Sequence, residues 1–344
     1  MKKHYLILSI ALLFMASSAF SQMSILFVDD SDDAFGNATT FYNATTIFGF
    51  SVDYYDAVTE AASPDDVMMS EYDLVVWYTS SDGTDLYLWD GVEEDNEALE
   101  IYLEDGGMLW LVGLDFLYDK YGEAPYEFIE GEFTYDYLGI ANYEAQSYAD
   151  DAGVGLPIAE VAEDNPIPFL TNLSWQFETM WFVDAVAPLE DVTPVYVMGD
   201  ESYLFAGRPC ALYNETDVFK VLSYYFDISL ISSGGLLNGH VYEVLNYFSS
   251  FVVGVDESSA DSEIAIYPNP GTGDFTLELE AMNSAPLTID IIDFQGRVIQ
   301  QVASGISGQK RIALTLGNEV SNGIYLVRVQ QGNEISTKSL VLQR

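Results

Sequence analysis

The stretch Ile264-Ala265-Ile266-Tyr267-Pro268-Asn269-Pro270-Gly271-Thr272-Gly273-Asp274-Phe275 constrains this chain more than any other. Pro268 and Pro270 fix φ and remove two backbone donors, so strand pairing has to stop there. Gly271 and Gly273 then permit a tight reversal. Strand alternation resumes at once, with Phe275, Leu277 and Leu279 on one face and Thr276, Glu278 and Glu280 on the other. The pattern predicts a compact all-β sandwich module over residues 263–344.

What precedes this module differs from it in charge. The chain carries 11 basic and 55 acidic residues, a formal net of −44. Residues 22–256 hold three basic groups (Lys120, Arg208 and Lys220) against 45 acidic ones, whereas residues 263–344 hold six and eight. The break marks a linker at 254–262, within which Asp256-Glu257-Ser258-Ser259-Ala260-Asp261-Ser262 is polar and small. A charge so negative argues against nucleic acid and anionic membrane surfaces as partners. It does not imply disorder, because 49% hydrophobic and 14% aromatic residues can cover a core.

At the other end, Lys2 and Lys3 precede an apolar run from Tyr5 to Met15, followed by Ala16-Ser17-Ser18-Ala19. This three-part pattern predicts a signal peptide at 1–21, cut before Gln22. No later apolar run is long enough to span a membrane, so no transmembrane segment is expected in the mature chain.

Four ordered blocks then carry a family likeness: Tyr267-Pro268-Asn269-Pro270 with Gly273-Asp274-Phe275; Asp293-Phe294-Gln295-Gly296-Arg297; Asn322-Gly323-Ile324-Tyr325-Leu326-Val327-Arg328-Val329; and a closing strand with Lys338. Together they resemble the type A C-terminal sorting domain of the type IX secretion system of Bacteroidetes. The resemblance assigns the sorting motif to Tyr267, Pro268, Asn269, Pro270, Gly273, Gly296, Gly323, Tyr325 and Lys338. It implies the type IX secretion machinery as partner, passage across the outer membrane, and release or attachment at the cell surface.

Residues 22–253 alternate apolar strands with amphipathic segments. Ser24–Val28, Val52–Val58, Tyr72–Tyr78 and Met108–Gly113 read as strands, and 37–48 and Asp95–Asp105 as helices. A helical segment is expected at 125–138, with strands near 192–198 and 202–206. A hairpin is expected from Cys210–Tyr213 to Phe219–Phe226, and a closing helix from His240 to Phe251. The order predicts an α/β fold, a mainly parallel sheet with helices on both faces. Its ligand crevice would lie at the strands' carboxyl ends, placing Asp29–Asp33, Thr79–Asp82 and Gly113–Asp115 on one rim.

Ile25-Leu26-Phe27-Val28-Asp29-Asp30, Tyr72-Asp73-Leu74-Val75-Val76-Trp77 and Leu103-Glu104-Asp105-Gly106-Gly107-Met108-Leu109-Trp110-Leu111-Val112-Gly113, with the late hairpin, are similar to class I glutamine-amidotransferase-like or ThuA-like, flavodoxin-like domains. Active members of that family place a cysteine nucleophile on a strand-to-helix elbow. Here the elbow reads Val112-Gly113-Leu114-Asp115-Phe116, with Leu114 at the nucleophile's place and Phe116 where the turn needs a small residue. Cys210 begins a hairpin strand instead and reads as an inert buried thiol that can form no disulfide within the chain. His240, the single histidine after the signal segment, reads as packed or solvent-facing.

The expectation is therefore a non-catalytic domain binding an extracellular ligand or partner. The alternative is an extracellular hydrolase of sugars or peptides working through rim carboxylates such as Asp115. Trp77 and Trp110 are expected in the core, Trp175 and Trp181 nearer a ligand. Asp29, Asp30, Asp32 and Asp33 crowd one loop, and calcium, a hard cation taking oxygen ligands, would relieve their repulsion.

Overall fold

The computed structural model describes residues 23–252 and 264–344, apart from 32, 34, 80–82, 91–93, 270, 280–286, 294–296, 307–310, 318, 319, 322, 332 and 333. The signal peptide and the linker expected at 1–21 and 254–262 lie outside the described residues.

The α/β region begins β1 (Ser24–Asp29), α1 (Asn37–Thr46), β2 (Ser51–Asp56), α2 (Ala57–Glu60), α3 (Asp66–Met69), β3 (Leu74–Tyr78), α4 (Glu97–Glu104), β4 (Met108–Val112) and α5 (Phe116–Tyr121). It continues through β5 (Tyr126–Glu127), α6 (Phe133–Asp136), β6 (Ile140–Gln146), β7 (Ile158–Val161) and β8 (Asp184–Pro188). Last come β9 (Thr193–Gly199), β10 (Pro209–Glu215), β11 (Lys220–Tyr224) and α7 (Gly234–Ser249). Eight strands form one sheet in the order β2-β1-β3-β4-β11-β10-β9-β7. The first five run parallel and the last three antiparallel.

β3 and β4 are buried along their whole length because both faces of the sheet are covered. Leu74, Val76, Tyr78, Trp110 and Val112 pack towards Phe41 of α1 and Val244 and Phe248 of α7. The alternate residues Val75, Trp77, Leu109 and Leu111 pack towards Leu99 and Leu103 of α4 and Phe116 and Leu117 of α5. α4 starts where Asn96 accepts a hydrogen bond from the Leu99 amide (3.1 Å), an ordinary side-chain cap.

The second half departs from the sequence expectation. Residues 125–138 are not one helix: Tyr126–Glu127 pairs with β6, Gly131 turns the chain at φ +99, and only Phe133–Asp136 is helical. Residues 202–206 form turns rather than a strand, because Asp200 accepts from Ser202 N (2.8 Å) and its carbonyl from Tyr203 N (2.9 Å). α7 starts at Gly234, earlier than hydrophobic periodicity alone indicates, because Ser233 caps it. A small antiparallel sheet, β5-β6-β8, stands beside the main one. Among the described residues no helix is long and apolar enough to cross a membrane.

The C-terminal module comprises β12 (Ile264–Tyr267), β13 (Asp274–Leu279), β14 (Leu287–Ile292), β15 (Val298–Ile306), β16 (Arg311–Thr315), β17 (Gly323–Gln331) and β18 (Glu334–Leu342). A three-stranded sheet, β12-β13-β16, faces a four-stranded one, β15-β14-β17-β18, and all pairings are antiparallel. The alternation in β13 buries Phe275, Leu277 and Leu279 against Ile289, Ile291, Val327 and Leu340.

Candidate functional site

The acidic loop after β1 folds inward. Asp30 is buried and its carboxylate accepts from Trp77 Nε1 (3.1 Å), Tyr87 N (2.9 Å) and Leu88 N (2.7 Å). Burial pushes its pKa up to about 6, against those hydrogen bonds. Asp29 accepts from Ser31 and from the Tyr54 hydroxyl, while Asp33 accepts from Ala38 N (2.9 Å) and Thr39 Oγ1 (2.6 Å) at the start of α1. The three carboxylates thus serve three different sets of donors, and Asp32 lies outside the described residues. Among the described residues no group of three or more His, Cys, Asp or Glu side chains is arranged to hold a metal ion. The loop pinned by Asp30, around Tyr87 and Leu88, lies against the end of β1, the place where such sheets ordinarily leave a crevice.

An open cavity lies two strands further along, at the carboxyl end of β4. Asp115, not Leu114, stands at the apex of the strand-to-helix turn, with left-handed backbone (φ 60, ψ 2), and its carbonyl starts α5 by accepting from Asp119 N (2.8 Å). Leu114 is buried. The turn is crossed closely by the loop after β3: a Cβ on Gly83 would collide with the Leu114 carbonyl oxygen. Asp115 Oδ1 accepts from Gln146 Nε2 (2.6 Å), and the same amide nitrogen reaches Asp184 Oδ1 (3.0 Å). Gln146 and Asp184 are cross-strand partners in β6 and β8, so the small sheet delivers this pair to the end of the large one. Asp184 is wholly buried, and burial first, then the negative charge of Asp115, holds its carboxyl well above the usual range. The cavity, about 520 Å³, is lined by Asp115, Glu123, Asp150, Tyr118, Tyr143 and Phe182 among others.

Aromatic rings flank it. Trp181 is 50% exposed and stacks on Tyr148 with centroids 4.3 Å apart, and Tyr148 meets Phe182 edge-on at 5.6 Å. Trp181, Phe182 and the exposed Phe177 line a second, apolar hollow of about 420 Å³ beside the first, with Phe182 common to both. Gly155 lies under the indole, where a Cβ would come within 2.6 Å of Trp181 Cδ1. Tyr148 (φ 68) and Phe182 (φ 60), like Asp115, hold left-handed backbone that bulky residues rarely adopt. Nothing in the sequence pattern marks Gln146, Asp184, Tyr148 or Phe182, since their meeting depends on the pairing of β6 with β8.

Other singled-out residues lie in the core. Cys210 is fully buried, which pushes its thiol pKa up. His240 is stacked among Trp110, Tyr196 and Tyr224, and burial holds its pKa down at about 3. Trp77 and Trp110 are buried, as is Trp175, whose indole donates to Leu156 O (2.9 Å). Thr79 is buried at the end of β3, and residues 80–82 lie outside the described set.

In the C-terminal module the Tyr267-Pro268-Asn269 turn clasps the last strand. Asn269 Oδ1 accepts from Val341 N (2.7 Å), Gly271 N donates to Val341 O (3.0 Å), and Gln343 N donates to Gly271 O (2.9 Å). Gly273 (φ 131) lies against the Arg344 guanidinium, which donates to the carbonyls of Thr272, Leu316, Gly317 and Val320. The Tyr325 hydroxyl donates to Ser321 O (2.6 Å), Gly323 opens β17, and Lys338 is exposed opposite Val327. Pro270 and Gly296 lie outside the described residues. Blocks far apart in sequence are therefore neighbours in space, and residues 265–343 match the family described as "Secretion system C-terminal sorting domain".

This part of the chain is a type IX sorting domain. The sorting domain indicates export by the type IX machinery, with secretion or attachment at the cell surface. No curated protein matches the chain. Among solved structures it is similar to the polyextremophilic β-galactosidase from the Antarctic haloarchaeon Halorubrum lacusprofundi: 16% identity over 86% of this chain and 40% of that one, TM-score 0.41. It is also similar to Agd3, a carbohydrate deacetylase, at 12% identity over 66% of this chain and 32% of that one, TM-score 0.38. A third likeness is to PurLQS from Thermotoga maritima, at 12% identity over 66% and 99%, TM-score 0.29. The chain spans less than half the length of the first two, and at these scores none bears on activity.

Proposed function

We propose that residues 22–253 form a flavodoxin-like, glutamine-amidotransferase-like domain that binds an extracellular carbohydrate without turning it over. Residues 254–262 link it to the sorting module 263–344, behind a signal peptide at 1–21. The parallel strand order β2-β1-β3-β4-β11 supports the fold assignment, since it is the 2-1-3-4-5 order of flavodoxin-type sheets. The observation that carries the binding assignment is the junction of the acidic cavity at Asp115 with the exposed Tyr148–Trp181 stack. A sugar ring offers an apolar C–H face, which an indole accepts, and hydroxyls, which carboxylates accept. Absence of turnover is supported by the burial of Cys210 and His240 in the core, away from the cavity.

One observation favours hydrolysis as a second reading: Asp115 occupies the apex of the turn from which nucleophiles project in elbow-type enzymes. Glycan-array binding of the purified secreted protein, run beside a hydrolase panel, separates the two. The expected result is retention of a glycan that Trp181→Ala weakens by about fivefold, a stacked aromatic contact being worth roughly 1 kcal/mol, with no product released. Absence of any retained glycan rejects the binding assignment, and turnover abolished by Asp115→Asn establishes the hydrolase.

A further inference from the structure

Lys120, on α5, has a side chain only 7% exposed, and its amine pairs with Oδ1 of Asp95, the residue before the Asn96 cap of α4. Aromatic rings close round the pair. The amine stands 4.7 Å from the centre of the Trp89 ring and 5.6 Å from that of Tyr121, and Trp89 meets both Tyr121 and Phe133 edge-on. The other carboxylate oxygen, Oδ2, accepts from Phe133 N (3.0 Å). The carboxyl carbon of Asp95 is thus held beside the amine, with its second oxygen bound as the carbonyl of an amide would be. The other two basic groups of residues 22–256 are less enclosed: the side chains of Arg208 and Lys220 are 39% and 19% exposed. An ion pair shut away from water is costly, because both charges lose their hydration. Condensation removes both charges at once, and an amine fixed against its carboxyl reacts as though at very high concentration.

We propose that Lys120 and Asp95 become joined by an isopeptide bond, formed by the folded chain itself whatever the domain binds. A proton passes within the pair from Nζ to Oδ1, leaving an amine and a carboxylic acid. The Nζ lone pair then attacks Cγ of Asp95, the Cγ–Oδ1 bond breaks, and Oδ1 departs as water with a second proton from Nζ. Nothing is oxidised or reduced, and Oδ2 keeps its hydrogen bond from Phe133 N. Glu100 of α4 carries the second proton. Burial first, then the charge of Asp95, holds its carboxyl above the ordinary value, so it serves as an acid, while Lys120 acts on it in the opposite sense. The chain has one cysteine, Cys210, and so no disulfide of its own to resist unfolding outside the cell. The isopeptide bond supplies such a staple, tying α5, which begins at the Asp115 turn, to the start of α4.

Mass spectrometry of the purified full chain after cleavage at glutamate tests this. Residues 95–97 and 105–123 should emerge as one branched peptide, lighter by one water than the two together. Lys120→Arg keeps the charge pair but has no nucleophilic amine, so it should release two separate peptides, as should Asp95→Ala. Both variants should melt at a lower temperature than the wild type, since a cross-link between residues 25 positions apart restricts the unfolded chain. Glu100→Gln should leave a measurable fraction unjoined. Wild-type protein that yields only the two separate peptides overturns the bond and leaves a plain ion pair. Residues 105–123 still branched in Asp95→Ala overturn Asp95 as the partner, and complete joining in Glu100→Gln overturns its part in the proton transfer.

Discussion

Two fully buried titratable side chains show how burial acts on acids and bases in opposite directions. Asp184 is held above its ordinary value of 3.8, by burial first and then by Asp115, so the folded state keeps a proton the unfolded chain releases. Its contribution to stability is therefore full in acid and is lost as pH rises through the folded pKa. His240 falls from 6.5 to about 3 because burial disfavours the imidazolium. Its contribution is full above pH 6.5 and is lost as pH falls from there towards 3. Single substitutions separate the two. His240→Leu should remove a few kcal/mol of acid sensitivity between those values, since Tyr196 still donates to Thr171 O (3.0 Å) when the ring is gone. Asp184→Asn should raise the urea midpoint at alkaline pH and leave it unchanged in strong acid. Urea melts across the pH range read both, and a wild-type acid slope retained in His240→Leu would assign it to other groups.

At the scale of elements, the sorting domain is fastened by a clasp built from its two ends. Asn269 holds the backbone of β18, and Arg344 ties four carbonyls of two loops. Asn269→Ala and Arg344→Ala should each lower the module's stability by about 1 kcal/mol, the net worth of a partly exposed hydrogen-bonded group. Limited proteolysis of the full chain, with cleavage sites located by mass, reports it: cuts should appear first between 316 and 344. The sequence shows this turn because proline and glycine punctuate it, although the partner strand lies about seventy residues away. β1, β3 and β4 were equally legible, since strands covered on both faces are almost continuously apolar. β5, β6 and β8 were not. They are short, laced with polar residues and defined by pairing across distant segments. Half of the candidate site, Gln146 and Asp184, comes from that sheet, so of this group only Asp115, at a strand's carboxyl end, is marked by the sequence. Even there Leu114 was assigned the apex, a displacement of one residue that only the left-handed backbone of Asp115 corrects.

The whole molecule joins two surfaces of different character. Residues 22–256 carry 45 acidic residues and three basic ones, a field that repels anionic surfaces. The sorting domain is close to neutral, and three of its basic groups are matched locally: Arg297 with Asp293 (2.8 Å), Arg311 with Glu278 (2.7 Å) and Arg328 with Asp290 (2.7 Å). Its fold closes on its own core, Phe275, Leu277, Ile289, Val327 and Leu340 among others, so its address is legible whatever charge the cargo carries. Deleting residues 263–344 should therefore leave the α/β region intact but undelivered, accumulating in the periplasm of the native host. Two measurements on that strain keep misfolding apart from misrouting. Immunodetection of periplasm, cell surface and medium locates the truncated chain, and protease resistance of the periplasmic material shows whether residues 23–252 are folded. Retention of a protease-resistant chain is the expected pair of results. Truncated protein in the medium at the full-length level would mean that the export signal lies in the α/β region, against the assignment of residues 265–343 as the address.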